Sequence, residues 1–227
     1  MSADVRGLIL TGGASSRMGR DKAEIIYAQL PQWRALAEML RPLCADVFWS
    51  CTPTQQAQWG IGERAIVDAV AGHGPASGLH AAFTFDARNI AQRSERNLKA
   101  PCKPVFLSSS PLVSSHHAAQ EEVKNINVVA ATFAWLVVGC DYPLIETRDL
   151  RSLLHARSPD ADAVVFFDER KNEIEPLIAL WEPSAQAQFL AAFERGEFSP
   201  RRILRSCKLK MIPPRDHSIL SNRNTPS

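Results

Sequence analysis

The chain has no apolar run long enough to cross a bilayer. The longest, residues 128–140, is interrupted by Thr132 and falls short of the roughly 20 residues a spanning helix needs. A basic N-terminal segment followed by an apolar stretch is also missing, so Met1-Ser2-Ala3-Asp4-Val5-Arg6 does not read as a secretory signal. Cysteine is sparse and odd in number. Cys44, Cys51, Cys102, Cys140 and Cys207 are widely spaced and include no C-x-x-C pair. Neither a zinc knuckle nor a disulfide framework is indicated, and a reducing, cytoplasmic compartment is expected. Excess charge of one sign is lacking too: 26 basic against 24 acidic residues give a net charge of +2. Neither nucleic acid nor a membrane is therefore expected as a partner.

The remaining composition is that of a globular protein. The 227 residues are 45% hydrophobic and 22% charged, which excludes disordered, collagen-like and coiled-coil chains. A chain of this length buries about 70% of its unfolded surface without a disulfide or metal staple. One domain over residues 1–227 is expected.

Short apolar runs alternate with helical patterns. Strands are predicted at Val5–Leu10, Val47–Ser50, Ala65–Val67, Trp135–Val138, Ala163–Phe167, Leu177–Trp181 and Leu209–Ile212. The stretch of about 21–43 carries a helical tail, with Leu36, Met39, Leu40 and Leu43 at helical spacing, and a helix is predicted over Ser77–Phe85. Further helices are expected at Thr147–Ala156 with Thr147 as N-cap, at Ser184–Arg195 closed by Gly196, and at Ser199–Arg205 with Pro200 in its first turn. Phe83, Phe85, Trp135, Phe166 and Phe167 are expected in the core, and Trp33 in the core or an interface. The alternation predicts an α/β fold of three layers, Rossmann-like, with a mostly parallel central sheet and helices on both faces. Ligands of such sheets bind beyond the carboxyl ends of the strands, where Gly12, Gly13, Asp68 and Asp141 would converge. Residues of about 86–133 break the rhythm with Pro101, Pro104, Pro111 and a serine run. About fifty residues is long for a loop, so they read as an insertion, either a lid with some structure of its own or a partly disordered excursion.

The stretch from Leu8 to Lys22 carries the clearest chemistry. It lacks the Gly-Lys-Ser/Thr ending of a Walker loop and is not G-x-G-x-x-G. It reads as an anion cradle all the same. Gly12 and Gly13 let the backbone approach a ligand, and the N–H groups that follow can face phosphate oxygens. Arg17 adds a fork of donors and Lys22 a point charge.

L-T-G-G-x-S-x-R-M-G-x-D-K over residues 10–22 resembles the signature of the molybdenum cofactor guanylyltransferase family, a branch of the nucleotidyltransferases. Four later segments continue the resemblance. They are Gly74-Pro75-Ala76-Ser77-Gly78-Leu79, Cys140-Asp141-Tyr142-Pro143-Leu144, Glu175-Pro176-Leu177-Ile178-Ala179, and Asn222-Arg223-Asn224-Thr225-Pro226. The resemblance implies the nucleotidyltransferase fold. It also implies Mg²⁺-dependent transfer of GMP from GTP to the phosphate of molybdopterin or its molybdenum-loaded form, with release of pyrophosphate.

Residue by residue, the resemblance implies that nucleotide lies on Leu10, Thr11, Gly12 and Gly13, with Ser50, Asp68 and Lys22 in contact. Arg17, Lys22 and Asp141 take the catalytic roles, and Asp141 is the metal ligand, a hard carboxylate suited to Mg²⁺. Gly74, Pro75, Gly78, Asn222 and Asn224 are placed at the acceptor, with Arg201, Arg202 and Arg205 in reach of its phosphate. Gly13 favours guanine, since the cytidylyl branch reads L-A-A-G. Proteins of molybdoenzyme maturation follow as partners. The family pattern implies a further acidic residue and a final helix after Pro226, whereas this sequence ends at Ser227. Two alternatives stand beside this reading. One is a related transferase that cytidylylates the pterin or a sugar phosphate; the other is a non-catalytic nucleotide-binding scaffold. Cys140 has no histidine in a partner position and is expected to be a buried thiol. His116 and His117, being adjacent, point to different sides of any regular element and are not expected to bind metal.

Overall fold

A computed structural model describes residues 2–11, 21–27, 29–68, 72–85 and 133–222. A seven-stranded sheet forms its centre. The strands are β1 (Ser2–Leu10), β4 (Cys44–Cys51), β5 (Ala65–Val67), β6 (Ala134–Gly139), β7 (Ala163–Asp168), β8 (Glu173–Trp181) and β9 (Leu209–Ile212). Their order is β5-β4-β1-β6-β8-β7-β9, and only β8 runs against the others. The mostly parallel sheet expected from the run of apolar strands is present.

Both faces are covered because both carry apolar side chains. Alternation along β1 sends Val5 and Ile9 to one face and Leu8 and Leu10 to the other. β6 divides in the same way, with Leu136 and Val138 opposite Trp135 and Val137. The first face packs against α1 (Gln32–Leu40) through Leu36 and Leu40, and against α4 (Thr147–His155) through Leu150 and Leu153. The second packs against a helix at 75–85, α3, through Leu79 and Phe83, and against α5 (Pro183–Glu194) through Phe189 and Phe193. α6 (Pro200–Leu204) joins this face by Ile203 and Leu204. Phe83, Trp135 and Phe166 are buried and Phe85 and Phe167 partly so, as expected. Trp33 belongs to the core. It is 8% exposed and stacks on Trp59 with centroids 4.8 Å apart.

Several elements differ from the sequence reading. Within residues 21–43 the helical tail is present as α1, but structure not read from the sequence precedes it. Asp21 caps a 3-10 turn at Lys22–Glu24, a hairpin of β2 (Ile26–Tyr27) and β3 (Leu30–Pro31) follows, and only then does α1 begin. Gln29 has φ 86°, a left-handed turn position, and Pro31 has no N–H to give a preceding helical turn. α4 is capped one residue earlier than expected. Glu146 is its N-cap and Thr147 its first helical residue, with Asp149 Oδ2 accepting from Glu146 N at 3.0 Å. Helix α2 (Pro53–Trp59) was not anticipated. Cys102, His116, His117 and all but the last residue of the 86–133 segment lie outside the described residues.

Candidate active site

Strand pairing fixes which loops meet. Leu10 at the end of β1 stands between Ser50 of β4 and Gly139 of β6. Just beyond, Thr11 N donates to Ser50 O at 3.1 Å and Cys140 N donates to Leu10 O at 3.1 Å. The Thr11 hydroxyl gives a second bond to Ser50 O, at 2.6 Å. Thr11, Ser50, Asp68 and Asp141 therefore leave the sheet at one end, the carboxyl end at which open α/β sheets hold ligands.

Lys22 reaches this end from the turn after the glycine-rich loop. Its Nζ lies 3.3 Å from Asp141 Oδ2, with the two side chains 27% and 30% exposed. The pair is thus open to solvent and to a ligand. It sets one cation and one anion side by side, the two signs that a metal–triphosphate complex also carries. Such a complex can supply each partner's counter-charge in turn. No cluster of three or more His, Cys, Asp or Glu that could hold a metal occurs among the described residues. A lone carboxylate fits Mg²⁺ that arrives with phosphate oxygens and keeps its waters, rather than a caged ion.

On the β4–β5 side, Ser50 Oγ donates to Asp68 Oδ1 at 2.8 Å. Burial raises the Asp68 carboxyl above its ordinary range, and the Ser50 hydrogen bond works against that rise. Ser50 is reached closely from the other side by α3. A Cβ added at Gly78 would fall 2.3 Å from Ser50 Oγ and 2.8 Å from Leu10 Cδ2. Gly78 is what lets α3 lie this near the strand ends.

The turn bearing Lys22 is held from α2. Asp21 Oδ1 accepts from Ala23 N at 3.0 Å and its Oδ2 from Gln55 Nε2 at 2.5 Å. Gln55 is buried, and its Oε1 accepts from Thr52 N at 2.8 Å. Trp59 of the same helix donates from Nε1 to Glu24 Oε1 at 2.5 Å. These partners escaped the sequence reading because α2 did. The available signal was Thr52-Pro53-Thr54-Gln55 after a strand, a capping-box pattern with proline at the first helical position.

On the other side of Asp141, Tyr142 and Glu175 are near enough for each to shift the other's titration. Pro176 lacks an N–H, and there the β7–β8 register jumps, from Val165↔Ala179 to Phe166↔Glu175. Within this irregular stretch, Leu177 N donates to Glu175 Oε1 at 3.1 Å. Burial raises the Glu175 carboxyl, and burial raises the Tyr142 phenol far above its usual range. The Cys140 thiol is pushed well up by burial and by the Asp141 and Asp21 carboxylates, which disfavours the thiolate.

Of the residues read from the sequence, the structure brings Leu10, Thr11, Lys22, Ser50, Asp68 and Asp141 to one end of the sheet. Gly12, Gly13, Arg17 and Asn224 lie outside the described residues. Gly74, with φ 58°, and Pro75 are exposed at the start of α3, and Asn222 is exposed. Gly78 is buried against Ser50 and Leu10. Arg201 pairs with Glu173 and Arg202 with Glu197, each at 2.8 Å, while Arg205 is exposed.

Residues 7–211 match the family model of the MobA-like NTP transferase domain, and the chain belongs to that family. Over 221 residues it is 26% identical to the molybdenum cofactor biosynthesis bifunctional protein of Synechocystis, covering 97% of this chain but 51% of that relative. The chain thus spans about half the length of that protein. The molybdenum cofactor guanylyltransferase of Pseudomonas paraeruginosa is 26% identical over 227 residues, with 96% and 89% of the two chains covered. The crystal structure of molybdopterin-guanine dinucleotide biosynthesis protein A from Archaeoglobus fulgidus superposes with a TM-score of 0.62 at 18% identity, covering 97% and 93%. At that identity the likeness concerns the fold. No helix among the described residues is long and apolar enough to cross a membrane.

Proposed function

We propose that the protein transfers GMP from GTP to the phosphate of molybdopterin or its molybdenum-loaded form and releases pyrophosphate. The observation that carries this reading is the Lys22–Asp141 pair, 3.3 Å apart where β1 and β6 end. Named relatives that are molybdenum cofactor guanylyltransferases support the choice of substrates.

An oxygen of the acceptor phosphate bonds to the α-phosphorus, and the α–β bridging P–O bond breaks. Two anions must meet for this, so the principal task is electrostatic. Lys22 would hold the triphosphate and offset charge on the departing pyrophosphate, with Arg17 as the second cation. Asp141 would hold Mg²⁺, which when bound supplies further positive charge at the phosphates. Asp68, oriented by Ser50, would accept from guanine or ribose. Gly12 and Gly13 would bring backbone N–H groups to the phosphates. Gly74, Pro75, Asn222 and Asn224 are assigned to the acceptor side. A phosphate monoester, with a second pKa of about 6, is already a competent nucleophile near neutrality, so no general base is required. Transfer then rests on position and charge.

The test is a panel of GTP, CTP, ATP and UTP with Mg²⁺, with and without the pterin acceptor, read by pyrophosphate release. Release is expected only with GTP and acceptor together. Lys22→Met and Asp141→Asn should each lower kcat/KM by about 100-fold or more. Release with CTP instead would overturn the base, and release with none of the four would overturn the reaction.

A further inference from the structure

We infer that Gln55 is a positioning residue of the transfer reaction, clasping the end of the glycine-rich loop so that Lys22 stands beside Asp141. The inference rests on the proposed transfer for its kinetic readout and on hydrogen bonding alone for its structural one.

Chemistry fixes which way the Gln55 amide points. Oε1 faces the Thr52 N–H at 2.8 Å, so the other end, Nε2, is the donor that meets Asp21 Oδ2 at 2.5 Å. Asp21 uses its remaining oxygen to cap the turn at Ala23 N, 3.0 Å away. Both carboxylate oxygens are thereby engaged, and the orientation of the turn at Lys22–Glu24 follows from them. Gln55 Oε1 also lies 3.5 Å from Thr11 Oγ1, just before the glycine pair. One buried side chain therefore touches the residues that flank 12–20 on both sides.

Helix capping alone does not ask for glutamine. A capping box accepts glutamate at this position equally well, and a negative charge in the first turn would suit the helix dipole better. Glutamate here would set its carboxylate against that of Asp21. A donor is needed, and glutamine is the residue that completes the cap with one end and donates with the other.

Swapping donor and acceptor tests this. Gln55→Glu keeps the shape and the cap but puts two acceptors face to face. Asp21→Asn keeps the Oδ1 cap but puts two donors face to face. Each single variant is expected to lose kcat by tenfold or more, on the order of the loss from misplacing a reacting group by a fraction of an ångström, with KM changed less. The double variant, in which Asn donates to Glu, should recover kcat to within about threefold of the parent, a coupling that a double-mutant cycle measures directly. Full activity in Gln55→Glu, or a double variant no better than the singles, would show that Gln55 only caps α2. Hydrogen exchange of the Ala23 amide gives a readout free of substrate. It should be faster in both singles and restored in the double, and equal rates in all four proteins would overturn the inference. Should the parent release no pyrophosphate, the transfer reading falls while the exchange result still decides the clasp.

Discussion

Gly78 shows how much one missing side chain decides. The resemblance assigns it to the acceptor, and it lies in α3, inside the helix read at Ser77–Phe85, with Ser50 and Leu10 against the place where a Cβ would stand. Gly78→Ala would drive a methyl group 2.3 Å from Ser50 Oγ. Overpacking of this kind costs about 1–3 kcal/mol, and the displaced hydroxyl is the one that donates to Asp68. Urea unfolding should show that loss, and unchanged stability would mean that α3 can back away. The cysteines carry the same lesson in reverse. Burial pushes the Cys44 thiol up to about 12 and those of Cys51 and Cys207 up to about 11, the latter two with help from Asp68 and Asp162. Their wide spacing in the sequence reflects separate places in the fold rather than a shared site.

Among the elements, α4 shows how a buried charge is kept. Asp149 is 2% exposed and caps Glu146 N from one oxygen. Arg215 Nε donates to its other oxygen at 3.0 Å, from the chain that follows β9. The carboxylate thus ties the start of α4 to a segment far along the sequence. Asp149→Ala leaves the Glu146 amide uncapped and Arg215 with Glu146 alone, at 3.2 Å. A cost of about 2 kcal/mol is expected for hydrogen bonds to a charged group. It should appear as a lower urea midpoint with an unchanged slope, and a changed slope would mean that the compactness of the folded or unfolded state had altered. The α2 helix and the β2–β3 hairpin teach a complementary point. Both are short; α2 holds the Lys22 turn through Gln55 and Trp59, and the hairpin leads from that turn into α1. Gln32, at the start of α1 after that hairpin, donates to Tyr142 O at 3.3 Å, one residue beyond Asp141.

At the scale of the whole molecule the sheet has a chemical end and a structural end. Opposite the site, before β7, Asp162 accepts from Ser184 Oγ at 2.6 Å, Lys208 N at 2.8 Å and Gln188 Nε2 at 3.2 Å. The Ser184 hydroxyl is the main cause of a lowered Asp162 carboxyl, with Lys208 N and Gln188 assisting. A folded-state pKa below the unfolded value of about 3.9 gives stability that is whole above that pH. It is lost as pH falls toward the folded value, since the unfolded chain binds the proton first. Asp162→Asn should therefore flatten the dependence of stability on pH below about 4 and leave pyrophosphate release at pH 7.5 unaltered. Unfolding curves at pH 6, 4.5 and 3.5 would show it, and an unchanged slope would place the acid lability elsewhere.

The apolar runs of β1, β6, β7 and β8 and the glycine-rich stretch are local patterns, and a local pattern suffices to dictate a buried strand or an anion-binding turn. The mostly parallel sheet, the placement of Asp68 and Asp141 at strand ends, and the burial of Phe83 and Trp135 were legible for that reason. Contacts between distant residues leave no such trace. Gln55 meeting Asp21, Asp149 meeting Arg215, and Gly78 making room for Ser50 each require two segments brought together by the sheet. A side chain's partner is set by how strands are ordered and registered. That is a property of the packed whole, where burial and hydrogen bonding are satisfied together, and only the tertiary structure decides it.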